Sequence, residues 1–382
     1  MPSIRTRMVP RDLAEPHRVS SPLELLFDLT FVAAVSQAAG RLAHAIEQGH
    51  AGDAVGPFLA VFFAIWWAWM NFTWFASAYD TDDVPYRVMT FVQLAGVLLL
   101  AAGVPAAFDG DFATVTFGYL VMRVGLVGLW LRAAAAHPEG RATALRYAVG
   151  VSLVQVLWVS RLALPGGGPW WVFLVLVLLD LSVPPIAERR GMTTWHPHHI
   201  AERYGLFTII LLGESVLAAT NAVQDVVAHG VHADLVTIAL AGLAILFTLW
   251  WIYFSEPAGE GLAARRDWCF AWGYGHYLIF AALAALGAGL EVAVASAGEA
   301  HVDEQTAVAA VAVPIAVVLV MLWALHAPMR RTVLRPELIG TTAVLVLLTV
   351  FAAPGIGVAG GLSVIAALLV LLLAATLARR AQ

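Results

Sequence analysis

The segment LVTIALAGLAILFTLWWIYFS, residues 235–255, is a continuous run of uncharged and mostly apolar residues. A helix of about this length crosses the roughly 30 Å hydrocarbon core of a bilayer. Within lipid, every backbone N–H and C=O group needs a partner in its own segment, and a helix provides one. We therefore predict a transmembrane helix at residues 235–255.

The same pattern recurs along the whole chain of 382 residues, of which 61% are hydrophobic and only 12% are charged. Soluble domains carry roughly 25% charged residues, so this composition indicates an integral membrane protein. The sequence predicts an all-α fold with about twelve transmembrane helices, near residues 23–42, 57–78, 86–107, 113–135, 145–164, 169–187, 203–223, 235–255, 268–291, 305–326, 337–353 and 361–379.

The positions of the arginines predict how the chain is oriented in the membrane. All 21 basic residues are arginine, and most lie in the N-terminal tail, in every second predicted loop and at the C-terminus. Short cytoplasmic loops collect positive charge, so both termini of this multi-pass chain are expected in the cytoplasm. The net charge of −5 gives no sign of nucleic-acid binding.

A weak internal repeat predicts two halves. Glu24-Leu-Leu-Phe-Asp-Leu-Thr-Phe opens the first predicted helix, and Glu202-Arg-Tyr-Gly-Leu-Phe-Thr-Ile opens the seventh, 178 positions later. The segments that begin at Arg87 and Arg266 are 179 positions apart. An even number of helices per half makes the repeats parallel. We expect a cytoplasmic tail at 1–22, a six-helix half at 23–187, a cytoplasmic loop at 188–202 and a second six-helix half at 203–382.

Three of these motifs together resemble the low temperature requirement protein A (LtrA) family of bacterial membrane proteins. They are Glu24-Leu-Leu-Phe-Asp-Leu-Thr-Phe-Val, then Tyr79-Asp-Thr-Asp-Asp-Val followed by Arg87, and then His199-Ile-Ala-Glu-Arg-Tyr-Gly-Leu-Phe-Thr-Ile-Ile-Leu-Leu-Gly-Glu-Ser. The resemblance covers most of the chain and is best over helices 1 to 9. It implies a multispan inner-membrane protein and does not imply a particular biochemical activity.

Charged residues inside the predicted helices are the main candidates for function. A central Asp or Arg costs roughly 2.5–3.5 kcal/mol to insert, so such residues pair, face a cavity or bind a ligand. Glu214 and Arg123 lie near the middle of helices 7 and 4, and their similar depth makes each the expected partner of the other. Asp28 and Asp180 are expected to form an acidic layer on the cytoplasmic side of that pair. For each of these residues the alternative is a structural tether between helices.

Other polar residues extend this candidate solute- or ion-binding site. Helical periodicity places Arg203, Glu214 and Asn221 on one face of helix 7, with Glu202 beside its start. His276 could join a proton relay, because imidazole titrates near neutral pH, or could simply be hydrogen-bonded in the core.

Two cytoplasmic groups are weak candidates for metal ligands. Asp80, Asp82 and Asp83 are oxygen donors suited to a hard cation such as Mg²⁺. His198 and His199 precede Glu202 at helical spacing, which permits a zinc site. Neither pattern is specific, and the alternative for both is ordinary solvated loop charge. No cofactor is expected, and the single cysteine, Cys269, excludes an intramolecular disulfide.

Three functions are compatible with this sequence. The favoured one is a secondary transporter or ion-coupled permease, with the lipid bilayer and an unidentified small solute or ion as partners. The alternatives are a non-catalytic membrane component or sensor, and a membrane-embedded metal-dependent enzyme acting on a lipid-linked substrate. No nucleotide-binding or serine-hydrolase motif is present, and the sequence leaves the oligomeric state open.

Overall fold

The computed structural model describes residues 4–12, 15, 18–229, 233–297, 302–329 and 334–380. Within its helices, the side chains of residues 218–219, 221–223, 225–229 and 380 lie outside this description. The described part of the chain is helical and contains no strand. Its helices are α1 Pro22–Thr30, α2 Val32–Glu47, α3 Ala51–Tyr79, α4 Val84–Phe108, α5 Ala113–Ala136, α6 Arg141–Arg161, α7 Trp170–Glu188, α8 Pro197–His229, α9 Ala233–Phe254, α10 Ala258–Ala264, α11 Cys269–Ser296, α12 Glu304–His326 and α13 Pro336–Arg380.

The prediction of a polytopic helical membrane protein is confirmed. Ten helical stretches within the described residues are long and apolar enough to cross a membrane. The predicted segment 235–255 corresponds to α9. Helix α8 is not among the ten stretches, and the predicted segments 337–353 and 361–379 both fall within α13, so the count of twelve is not confirmed.

Helix α13 is interrupted where the sequence predicts a turn between two helices. Gly357 has a φ of +71°, a left-handed conformation that L-residues with side chains rarely adopt. Pro354, three residues earlier, removes one backbone donor from the helix. The chain therefore bends at this point, although helical hydrogen bonding resumes directly after it.

The chain divides into two compact units. Unit 1 comprises residues 1–37 and 60–203, and unit 2 comprises residues 38–59 and 204–382. In unit 1, α4 packs on α5, α5 on α6, and α6 on α7. In unit 2, α12 packs on both α11 and α13, and α13 also packs on α9.

Glycines allow α4 and α5 to approach closely. A Cβ atom added at Gly96 would lie 2.6 Å from the carbonyl oxygen of Gly118, and one added at Gly118 would lie 2.6 Å from the backbone nitrogen of Leu100. These neighbours are backbone atoms and cannot move aside as a flexible side chain could. Small residues at helix interfaces serve this purpose in membrane proteins, where close van der Waals packing drives helix association. The contact fixes α5, which carries Arg123, against α4.

Candidate functional site

Helix α1 carries two carboxylates into the interior of unit 1. Ser21 caps the helix by accepting a hydrogen bond from the backbone N–H of Glu24, and Glu24 Oε2 accepts one from the backbone N–H of Ser21 at 2.7 Å. This capping box fixes the start of the helix. Asp28 lies one turn further along the same face, and the two acids are 0% and 1% exposed.

Arg203, in the second turn of α8, contacts both acids. Its Nε and Nη2 donate to the two carboxylate oxygens of Asp28 at 2.9 Å and 2.5 Å, a bidentate pair. Its Nη1 lies 3.1 Å from Glu24 Oε1. Trp69 Nε1 donates to Asp28 Oδ1 at 2.6 Å, and Thr73 Oγ1 accepts from Arg203 Nη2 at 3.4 Å. One guanidinium therefore contacts two buried carboxylates.

Two more basic groups surround Glu24. His199 Nε2 lies 3.2 Å from Glu24 Oε1, and the imidazole is fully buried. Arg18 Nη2 lies 3.5 Å from the same oxygen, at the limit of a hydrogen bond, and donates to the carbonyl oxygen of Ala76 at 2.8 Å. We refer to Glu24, Asp28, His199 and Arg203 as the α1 charge cluster.

The α1 charge cluster holds several charged side chains in a buried position. Burying an ion costs several kcal/mol, which only good geometry and further hydrogen bonds offset. The bidentate pair between Asp28 and Arg203 meets that condition. Glu24 has longer contacts, to three basic groups at 3.1 Å, 3.2 Å and 3.5 Å. A proton on His199 would therefore change the charge balance of Glu24.

A second buried ion pair joins α5 and α7. Arg123 Nη2 lies 3.1 Å from Asp180 Oδ1 and donates to the Tyr119 hydroxyl at 2.9 Å. Trp158 Nε1 donates to Asp180 Oδ2 at 2.8 Å. Arg123 and Asp180 are 4% and 2% exposed.

This geometry corrects two predictions from the sequence. The expected partner of Arg123 was Glu214, but its ion-pair partner in the structure is Asp180. Asp28 and Asp180 were expected to form one acidic layer, but each is paired with an arginine of its own, Arg203 and Arg123 respectively. Similar depth in the membrane was a poor guide to which helices touch, because it carries no information on their order around the bundle.

The Arg123–Asp180 pair borders two cavities of unit 1. Asp180 and Tyr119 line a small cavity, together with residues of α3 and α6. Arg123 lines a groove of about 680 Å³ between α5 and α6, with Gln155, Ser152 and Ser160 among otherwise apolar residues. Arg123 Nη1 and both polar side-chain atoms of Gln155 are buried and have no hydrogen-bond partner among the described residues.

The other predicted site residues lie apart from these pairs. Glu202 Oε1 accepts from the backbone N–H of Ser20 at 3.2 Å. Glu214 is half-buried in α8 and has no ion-pair partner among the described residues. Asn221 belongs to the same helix, but its side chain is outside the described residues. His276, in unit 2, is fully buried, with Nδ1 2.8 Å from the carbonyl oxygen of Trp272 and Nε2 3.3 Å from the Tyr253 hydroxyl.

The candidate metal ligands have other partners. Asp83 caps α4 through the backbone N–H of Tyr86 and forms an ion pair with Arg132. Asp82 forms a bidentate pair with Arg87, at 2.8 Å for both contacts. His198 is exposed, whereas His199 belongs to the α1 charge cluster. Among the residues that the structure describes, no three His, Cys, Asp or Glu side chains come together as a metal site.

Asp80 lies between α3 and α4, where its carboxylate is largely buried. Burial, reinforced by the negative charge of Glu24, raises the pKa of Asp80 from 3.8 to about 6. The folded protein therefore binds this proton more tightly than the unfolded chain does. Its unfolding free energy should fall as pH rises from about 4 to about 6, by at most about 3 kcal/mol.

The substitution Asp80→Asn should remove this pH-dependent loss of stability. We expect the variant and the wild type to have similar melting temperatures in detergent below about pH 4, and the variant to melt higher at about pH 8. Asparagine retains the oxygen that accepts from the backbone N–H of Asp82 at 3.1 Å. A melting-temperature difference that does not change with pH would contradict the assignment.

Several residues of these sites were not singled out from the sequence as binding residues. Glu24 was noted only as the first residue of two sequence motifs, although its spacing of four residues from Asp28 was the available signal. Trp69, Thr73 and Trp158 stand in apolar helices that are rich in aromatic residues, and nothing in their local sequence distinguishes them. Their roles follow from packing between distant segments.

These features define a multi-pass α-helical membrane protein with ion pairs buried between its helices. The chain belongs to the bacterial low temperature requirement A protein (LtrA) family, whose model matches residues 19–377. It is also similar to an uncharacterized protein of Rhizobium meliloti (strain 1021), with 27% identity over 279 residues. That match covers 68% of this chain and 64% of the relative, so this chain spans less than two thirds of the relative's length.

Proposed function

We propose that this protein is a secondary transporter or ion-coupled permease of the bacterial inner membrane. In this proposal the chain crosses the membrane twelve times, counting α8 and both parts of α13, with both termini in the cytoplasm. Two parallel six-helix halves, residues 23–187 and 203–382, follow the tail at 1–22 and are joined by the loop at 188–202. The match between the two helix-opening segments and the arginine distribution support this arrangement.

The α1 charge cluster is the observation that carries the proposal. It places two carboxylates and one guanidinium in a fully buried position, next to an imidazole. A simple tether between helices needs only one hydrogen-bonded pair, and an amide would provide it at lower cost. A second acid in contact with a titratable group is the arrangement that a proton-coupling site requires, because one proton can be exchanged while the ion pair is kept.

The Arg123–Asp180 pair is the proposed element of the solute path. One of its members lines the small cavity and the other lines the groove between α5 and α6. Arg123 Nη1 and Gln155 offer unused hydrogen-bonding groups to a solute. Glu214, Asn221, Glu202 and His276 remain proposed contributors to ion movement in the rest of the chain.

Proton movement through the reconstituted protein tests this function. Purified protein is placed in vesicles that contain a pH-sensitive dye, and a pH gradient is imposed with the membrane potential clamped, in the absence and presence of candidate solutes. We expect faster dissipation than in protein-free vesicles, and we expect Glu214→Gln to remove the excess while the variant remains folded. Wild-type vesicles that never exceed protein-free vesicles in any solute would contradict the proposal. Wild-type rates in Glu214→Gln would exclude Glu214 from the pathway.

A further inference from the structure

In the described part of the chain, the small cavity of unit 1 contains a buried cation that has no acidic partner. The cavity has a volume of about 30 Å³ and is bounded by α3, α5, α6 and α7. Arg161, the last residue of α6, lines it and is only 6% exposed. Within the described residues, Arg161 has no acidic partner and makes no hydrogen bond through its side chain, and its Nε is buried.

Two aromatic rings hold the Arg161 guanidinium in place. Its central carbon lies 5.3 Å from the ring centroid of Phe112 and 5.5 Å from that of Phe173. Cation–π contacts of this kind stabilise the guanidinium, and the C-terminal end of a helix also favours a cation. Neither contact provides an acceptor for the guanidinium N–H groups, so part of the burial cost is left without compensation.

Hydroxyl groups are the other donors on the cavity wall. Thr116 lines the cavity and carries a hydroxyl that can rotate to donate to an acceptor there. The Tyr119 oxygen accepts from Arg123, so its own proton is available to another acceptor. Asp180 also lines the cavity, but its two oxygens are engaged by Arg123 at 3.1 Å and by Trp158 at 2.8 Å. The negative charge of Asp180 is therefore already compensated, whereas the positive charge of Arg161 has no acidic partner among the described residues.

We infer that this cavity is a binding site for a small monovalent anion of about halide size, held by the Arg161 guanidinium and the hydroxyls of Thr116 and Tyr119. The size follows from the volume, since about 10–15 Å³ measured in this way is enough for one water molecule. A bulky organic anion would not fit without movement of the aromatic rings. This site goes beyond the transport function proposed above and does not depend on it.

Bromide is a direct probe, because its anomalous X-ray scattering identifies it in crystals of the full-length protein. We expect an anomalous peak in the cavity beside Arg161, and we expect Arg161→Gln to lose it. Arg146→Gln is the matched control on the same helix, since Arg146 bonds to the carbonyl oxygen of Ala187 and does not line the cavity. Absence of the peak in the wild type, or its persistence in Arg161→Gln, would overturn the assignment.

Thermal stability gives a second measurement that does not need crystals. Bromide should raise the melting temperature of the wild type in detergent above its value in gluconate, an anion too large for the cavity, because a ligand that binds only the folded state stabilises it. The difference should be lost in Arg161→Gln and kept in Arg146→Gln. Equal melting temperatures in the two salts for the wild type would count against the site.

Discussion

Replacement of Arg203 by glutamine should lower the free energy of unfolding by about 3–5 kcal/mol, the largest loss of stability expected of any single substitution in the α1 charge cluster. The substitution leaves the carboxylates of Glu24 and Asp28 buried without the guanidinium that contacts both. Arg18 remains, 3.5 Å from Glu24, but no other arginine contacts Asp28 among the described residues. The melting temperature in detergent and the yield of monodisperse protein measure the effect.

A double variant separates the loss of charge balance from the loss of packing. Arg203→Gln combined with Asp28→Asn removes the cation and one of its two anions together, so stability should recover in part. The control is Arg87→Gln, which makes the same chemical change in an exposed bidentate pair with Asp82. Exposed pairs contribute little to stability, so this control should melt close to the wild type. Equal losses of melting temperature in Arg203→Gln and Arg87→Gln would mean that burial of the α1 charge cluster does not affect the stability of the protein.

Much of the fold was predictable because it depends on a local property, the hydropathy of about 20 consecutive residues. The predicted segment 113–135 differs from α5 by one residue at its C-terminal end. Pro354 and Gly357 also indicated the break in α13, which is kinked at Gly357. The break is shorter than the sequence predicted, because no loop stands between the two parts of α13, which runs from Pro336 to Arg380.

The start of α8 shows how a boundary affects a site. The sequence placed the helix from residue 203, whereas α8 begins at Pro197. The earlier start puts His199 and Arg203 one turn apart on the same helical face, and both reach Glu24. Proline at the first position of a helix was the available signal.

The pairing of side chains could not be predicted, although most of the charged residues could be singled out. Asp28 and Arg203 were both candidates because each carries a charge into an apolar helix, but they are 175 positions apart. Arg123 and Asp180 are 57 positions apart. A single sequence contains no signal that shows which of such distant positions are in contact. Depth in the membrane was the only guide available. It predicted Glu214 as the partner of Arg123, whereas the observed partner is Asp180.

Asp28→Asn should abolish the proton flux of the reconstituted protein and leave most of the protein folded. The substitution removes one of two carboxylates that share Arg203, so Glu24 still neutralises the guanidinium. The remaining pair keeps the helices together, but Glu24 becomes the carboxylate that balances Arg203 and is no longer free to exchange a proton beside His199. Glu24→Gln should have the same effect on flux. The melting temperature of each variant, compared with that of Arg203→Gln, shows whether the fold is retained.

The most direct test of the account is the proton flux of Asp28→Asn vesicles measured beside that of Asp82→Asn vesicles. Asp82 is the matched control, because its side chain is 47% exposed and its partner Arg87 lies outside the cluster. We expect Asp82→Asn to carry protons as fast as the wild type, and Asp28→Asn to be no faster than protein-free vesicles. Wild-type flux in folded Asp28→Asn and folded Glu24→Gln would contradict the account and leave the α1 charge cluster as a structural tether.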